Sequence, residues 1–445
     1  MTSIRAALGQ PVVALCIMAA GVVLASAIGP SLHRMLGGNA WLGLVLAWTV
    51  LAFAGSVVAA RVASIWGLVV VLAAAGLMRL PMLLEAPYLS SDMYRYVWDG
   101  RVQRAGISPY LHVPAAPEVA HLRDQAIYTK INRADYAPTI YQPTAQLIFR
   151  AITALSDSVL GMKIGLLAFE AAAIAALVVI LRQLALPTTH VAAYAWHPLP
   201  VWEIAGNGHV EAALLGLMMT SLALYLRGQT LVAGAVAAVA VLVKPTALLL
   251  FPIFWQRWNW KLPALLIGIC ALLYVPYLSA GWKVLGFLGG YVVEEELSTG
   301  GGFRYLAMVQ SIIGPIAYGG QLYVMISAVI LTALALRLGF RRDREAASAI
   351  AGYGLLVTVF LLLLTPHYPW YYLVLGPLLV FTRAVTPWVL MTGGFVLYDV
   401  IDGDSMLPFA MREGALHLLA LAAFACDTLY HRTPALDRKT GAVTS

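Results

Sequence analysis

Apolar runs of about 20 residues recur along this 445-residue chain, and that recurrence fixes the solvent in which it folds. A helix of this length crosses the hydrocarbon core of a bilayer with every backbone N–H and C=O satisfied internally. Spans are predicted near 11–28, 41–60, 64–84, 158–181, 187–202, 209–226, 262–280, 321–338, 347–364, 370–382, 386–400 and 414–430. With about twelve spans, the predicted fold class is an all-α polytopic integral membrane protein. Composition agrees: 61% of residues are hydrophobic and 11% charged, where a soluble domain carries roughly 25% charged residues. Soluble enzymes and nucleic-acid-binding proteins are excluded as classes. The net charge of +7 is assigned to cytoplasmic loops, with no nucleic-acid partner. Cys16, Cys270 and Cys426 each lie in an apolar run, which gives neither a disulfide framework nor a metal knuckle.

Ala25-Ser26-Ala27 after the first run imitates a signal-peptide cleavage site, but with further spans behind it an uncleaved anchor is expected. Threading the chain with the N-terminus inside puts Arg61, Arg182, Arg227, the 341–344 cluster, Arg383 and the tail from His431 to Lys439 on one face. By the positive-inside rule that face is cytoplasmic. The loops at 85–142, 196–209, 281–320 and 365–370 then face outward. Residues 229–256 resist a simple span, because Arg227 precedes them and Arg257 and Lys261 follow. Two half-helices meeting at Lys244-Pro245 in a re-entrant hairpin resolve the conflict, provided the tip is buried in protein.

The 85–142 loop holds six acidic and six basic residues. A structureless loop of this length is improbable, so one or two amphipathic helices on the outer membrane interface are expected. Residues 91–104 fit the first, with Ser91 or Asp92 as N-cap and Tyr94, Val97, Trp98, Arg101 and Val102 forming an aromatic face. In a plain reading this is an interfacial anchor. In a chemical reading, Asp92 followed by Arg95, Arg101 and Arg104 suits deprotonation of a hydroxyl beside a held phosphate.

In the fourth span, Lys163 is expected to reach the outer interface, while Glu170 faces the protein interior or stays neutral. Glu294-Glu295-Glu296 and Gly300-Gly301-Gly302 fit a flexible flap, or simply a solvated surface. The residues alone leave a secondary transporter, a lipid-glycan flippase and a glycan polymerase open beside an enzyme.

The run from Leu89 to Tyr110 (LSSDMYRYVWDGRVQRAGISPY) resembles the signature of polyprenol-phosphate-mannose-dependent mannosyltransferases of the GT-C superfamily. Glycosyltransferase family 87 and the bacterial alpha-1,6-mannosyltransferases are the nearest matches. The resemblance continues through Ile131-Asn132-Arg133, Thr139 to Gln146, Gly206 to Glu211, Leu242 to Thr246 and Pro366 to Tyr371. It implies a GT-C fold of about 12 transmembrane helices plus the re-entrant hairpin and outward interfacial helices. The N-terminal helices (1–63) precede a catalytic core (64–430) that carries the loop 85–142, and a cytoplasmic tail (431–445) follows.

The implied reaction is an inverting transfer of a hexose, by default mannose, from a polyprenyl-phosphate donor to an acceptor hydroxyl. The setting is the outward face of a bacterial cytoplasmic membrane. The acceptor is a lipid glycan or another membrane molecule, with membrane lipids as further partners. Asp92 matches the family's catalytic acid. Lys244, Arg95, Arg101, Arg133 and Arg304 are assigned to the donor phosphate. Tyr94, Asp99, Tyr141, His209, Glu211, His367, Trp370 and Tyr371 are assigned to substrate positioning. Where the family often carries two adjacent acids, this chain has Ser91 before Asp92. No metal and no cofactor are therefore expected beyond the lipid-linked donor.

Overall fold

A computed structural model describes residues 2–255, 258–341, 345–398 and 407–430, with side chains from Gln10 to Leu429 within those ranges. Arg257, the 342–344 part of the basic cluster, the end of the 386–400 span and the 431–445 tail lie outside the described residues. Every regular element among the described residues is helical. Seven helices there are long and apolar enough to cross a membrane: Gln10–Arg61, Ile65–Leu84, Val159–Gln183, Lys261–Glu294, Gly319–Gly339, Ala346–Leu364 and Phe409–Leu429. The first is 52 residues long, about 78 Å at 1.5 Å per residue against a core of about 30 Å. Gly37, at φ 79°, breaks it between the two expected spans.

Three expected spans, 187–202, 370–382 and 386–400, are not single helices, and a fourth, 209–226, is a helix of 16 residues. Residues 187–202 form short pieces, Thr188–Val191, Ala192–Ala195 and Pro198–Pro200, followed by a π-helical turn at Val201–Gly206. Glu211–Leu226 passes as a span only together with Pro198–Gly206, as a broken pair. The 370–382 and 386–400 runs give Pro369–Phe381 and Thr386–Leu397, each a 3₁₀ segment joined to a short α-helix. Pro198, Pro200, Pro369, Pro377 and Pro387 fall in these stretches. Proline removes a helix donor and clashes with the preceding turn, which hydropathy does not register.

The chain divides into two compact units. One comprises residues 1–85, 174–205 and 341–445. Its core is rich in tryptophan: Trp48 Nε1 donates to the Trp196 carbonyl and Trp196 Nε1 to the Val71 carbonyl, both at 2.9 Å. Trp41 meets Trp202 edge-on at 5.4 Å. Arg79, buried in the Ile65–Leu84 helix, donates through one nitrogen to the Ala75 and Ala195 carbonyls.

The other unit comprises residues 86–173 and 206–340. Its first helix, Asp92–Arg104, is almost wholly buried from Met93 to Gly100, including Tyr94 and Trp98. The expected interfacial helix with an outward aromatic face is thereby corrected. Residues 91–104 pack inside the protein, because Asp99, Gln103 and Arg95 find polar partners there and Gly100 lets another backbone approach. A Cβ on Gly100 would stand 2.5 Å from the Phe149 carbonyl oxygen of the Pro143–Leu155 helix. Gly100→Ala is expected to cost about 1–3 kcal/mol by overpacking, measured as a lowered unfolding midpoint in detergent.

The hairpin expectation fares differently. Thr230–Val241 is followed by Lys244 in extended conformation and by the Pro245–Leu250 and Phe251–Phe254 turns. Leu231 and Val232 at the start of this segment share one groove of about 470 Å³ with Trp260 and Lys261 beyond its end. The two ends of the segment therefore lie beside each other, with Lys244 at the break between its helical pieces. Lys163 was expected to reach the interface, yet it is fully buried, as is Glu170, which does face the interior.

Candidate active site

The polar network that seats the Asp92–Arg104 helix also decides which of its charges are available. Arg95 Nε donates to Asp99 Oδ1 at 2.9 Å, and a second Arg95 nitrogen donates to the Ala137 carbonyl at 3.0 Å. Gln146 Nε2 donates to the other Asp99 oxygen at 2.8 Å. Gln103 Nε2 donates to Gln146 Oε1, and the Tyr277 hydroxyl donates to Gln103 Oε1, each at 2.8 Å. Such chains rigidify a helix when every member is satisfied. Arg95 and Asp99, assigned above to phosphate and substrate, are thus engaged with each other. Arg101 is likewise engaged, at 2.8 Å from Asp124 and 3.2 Å from Asp157.

Asp92 opens this helix and is only partly buried, unlike the residues from Met93 to Gly100. Oδ1 accepts from Asn132 Nδ2 at 3.3 Å, and Oδ2 accepts from the Tyr141 hydroxyl at 3.1 Å. Tyr96 is held flat on Phe149, with centroids 4.5 Å apart, and edge-on to Tyr141 at 4.9 Å. Burial, then the Asp92 and Glu211 carboxylates, push the Tyr96 phenol well above its ordinary range. Burial, then Asp92 and Tyr96, do the same to Tyr141. Both rings consequently stay protonated, and Tyr141 remains a donor to Asp92 through neutral and mildly alkaline pH.

A second charged group lies near the same phenols, since the Glu211 carboxylate also bears on Tyr96 and Tyr141. Lys244 Nζ donates to Glu211 Oε1, and His209 Nδ1 lies 3.9 Å from Glu211 Oε2. Glu211 is 1% exposed and the Lys244 side chain 19%. Gly208, at φ 72°, fits beside Met93 and Lys163, where a Cβ would meet Met93 Cε at 1.7 Å. Asn207 Oδ1 accepts from the Leu89 N–H at 3.4 Å. The Ala145 N–H donates to the Leu242 carbonyl at 3.2 Å, tying the helix after Tyr141 to the turn before Lys244. One unit therefore brings Asp92, Tyr141, His209, Glu211 and Lys244 into a single neighbourhood.

The remaining sequence candidates have these surroundings. Tyr94 is buried, with Lys130 Nζ 5.1 Å above its ring. Arg133 is engaged by Glu294 at 2.6 Å, and Arg304 begins the Arg304–Ile313 helix. His367, Trp370 and Tyr371 belong to the other unit, where His367 Nε2 lies 3.4 Å from Glu413 and Trp370 stacks on Tyr368 at 4.6 Å. Asn132 and Tyr96 were missing from the sequence candidates, although both stand inside the motifs. Their only sequence signal was that membership. Among the described residues, no three His, Cys, Asp or Glu side chains converge to hold a metal ion.

A family model described as alpha-(1->6)-mannopyranosyltransferase, N-terminal domain, matches residues 6–259, more than half of the chain. The chain belongs to this family. Its matched region contains Asp92, Tyr96, Asn132, Tyr141, Glu211 and Lys244, and ends before Glu294, Arg304 and His367. The chain is similar to Alpha-(1->6)-mannopyranosyltransferase A of Mycobacterium tuberculosis, at 25% identity over 322 residues, 66% of this chain and 61% of that protein. The match thus spans less than two thirds of the relative's length. No solved structure matches.

Proposed function

We propose that this protein is an inverting mannosyltransferase of GT-C architecture. It takes mannose from a polyprenyl-phosphate donor at the outward face of a bacterial cytoplasmic membrane. The observation that carries this reading is the Asp92 carboxylate, partly buried and held on both oxygens, within the region matched by the mannosyltransferase family. Asp92 accepts the proton of the acceptor hydroxyl as that oxygen attacks the anomeric carbon. The bond from that carbon to the phosphate oxygen breaks with inversion, and its electron pair leaves on the polyprenyl phosphate. The acceptor is a lipid glycan or another membrane-borne hydroxyl. The reaction uses no metal ion, since one carboxylate at the start of this helix supplies the base; a chelator is expected to leave the rate unchanged.

Lys244 meets the charge that develops on the leaving phosphate, as a compact ammonium suits a phosphate point charge. In the free protein Glu211 occupies that ammonium, so the donor phosphate competes with a buried carboxylate. Lys244→Met is expected to weaken binding of polyprenyl-phosphate mannose at least about 10-fold. Leaving Glu211 unpaired also costs about 1–3 kcal/mol of stability. Adding Glu211→Gln restores stability without restoring donor binding. Donor titration beside thermal unfolding in detergent checks both; recovered donor binding in the double variant contradicts the assignment of Lys244. The donor class itself is tested by incubating the purified protein with polyprenyl-phosphate mannose and, separately, with a sugar nucleotide. Product from the first alone supports the reading, and product from the second alone overturns it.

A further inference from the structure

The segment 286–294 is fastened to the turn that carries Asn132. Glu294 ends the Leu288–Glu294 helix, and both of its oxygens are taken by that turn. Arg133 Nε donates to Oε2 at 2.6 Å and the Tyr136 hydroxyl to Oε1 at 2.9 Å. The Phe287 N–H donates to the Thr139 carbonyl at 3.0 Å, and the Phe287 ring meets Tyr136 at 5.7 Å. Gly286, at φ 56°, permits this approach, since a Cβ there would stand 1.9 Å from the Thr139 oxygen. Arg133 itself holds φ 55°, a left-handed conformation that a non-glycine residue keeps only where its surroundings impose it.

An ion pair whose side chains are 31% and 28% exposed contributes little to stability. What it fixes is geometry. Arg133 directly follows Asn132, whose Nδ2 donates to Asp92 Oδ1. We propose that Arg133, Tyr136 and Glu294 form a latch by which the 286–294 segment sets the position of Asn132, and through it the aim of the Asp92 carboxylate. Arg133 is then a positioning residue and not a phosphate ligand. The latch rests on the reading of Asp92 as the base.

The test is a double-mutant cycle with Glu294→Ala and Asn132→Ala, in the full chain, with polyprenyl-phosphate mannose as donor. Each single variant is expected to lower kcat about 10-fold, since small misplacements at a reacting centre carry such costs. Donor KM stays near its wild-type value, which a loss of phosphate binding would not allow, and a wild-type gel-filtration profile and unfolding midpoint exclude a loss of folded enzyme. Because Glu294 acts through Asn132, the double variant falls no further than Asn132→Ala alone. Losses that multiply, or an unchanged kcat in Glu294→Ala, overturn the latch. Amide exchange on the same proteins reads the coupling without turnover. Glu294→Ala is expected to speed exchange in residues 128–140 as well as 286–294, and unchanged exchange in 128–140 also overturns it. Asp92→Asn assayed alongside separates the two ideas: if it keeps full rate the base assignment fails, while the cycle and the exchange still decide the latch.

Discussion

Replacing Asp92 by Asn is expected to lower kcat for mannosyl transfer about 100- to 10,000-fold, the range supplied by a positioned general base. Asparagine keeps the shape of the side chain and can still accept the Tyr141 hydroxyl through its carbonyl oxygen. It cannot take a proton. Its amide would face the Asn132 amide donor-to-donor, a conflict that a flip of the Asn132 side chain relieves. The variant should therefore insert and elute from gel filtration like wild type, which makes the lost rate a statement about chemistry. A rate within threefold of wild type in a folded protein would move the base elsewhere. Glu211 is the first alternative, since its carboxylate lies close enough to Tyr96 to act on the same phenol.

Asp99→Ala is expected to be the most damaging substitution for stability, at about 3–5 kcal/mol. The side chains of Arg95 and Asp99 are 7% and 1% exposed. Removing the carboxylate leaves a buried guanidinium with the Ala137 carbonyl, and Gln146 loses one of its acceptors. An uncompensated buried charge is far costlier than a missing pair. Replacing Arg95 and Asp99 together by Met and Leu should consequently recover most of the loss. Unfolding of the purified variants in detergent reads both. A loss below about 1 kcal/mol for Asp99→Ala would mean that the network does not hold the helix that carries Asp92.

These two residues lie seven positions apart on one helix, and the sequence distinguished them poorly. Both are acids among arginines in the same motif, and both were assigned to the reaction. Partners separate them: Asp99 is fully buried between Arg95 and Gln146, while Asp92 is only partly buried. Long apolar runs were legible because a bilayer demands helices of a set length. Three shorter runs, 187–202, 370–382 and 386–400, misled, since hydropathy counts proline-interrupted short helical pieces as it counts one α-helix. The helix at 91–104 was legible as a helix but not as a buried one. Its polar residues read as a wet face, whereas they pair with Gln146, Tyr277 and Ala137 from distant stretches of chain. The break at Lys244 was legible from the charge at both ends of 229–256, because one charge rule governs both ends, and the structure does interrupt the helix there. The pairing of Lys244 with Glu211, 33 residues earlier, leaves no local pattern.

Transfer of radiolabelled mannose from polyprenyl-phosphate mannose to a total lipid extract, by the purified full-length protein, tests the central claim most directly. Label in a lipid product with wild type, and its absence with Asp92→Asn, is the predicted result. Label carried equally by both proteins would contradict the catalytic assignment. No binding and no transfer of this donor by a folded wild-type protein would contradict the proposed function.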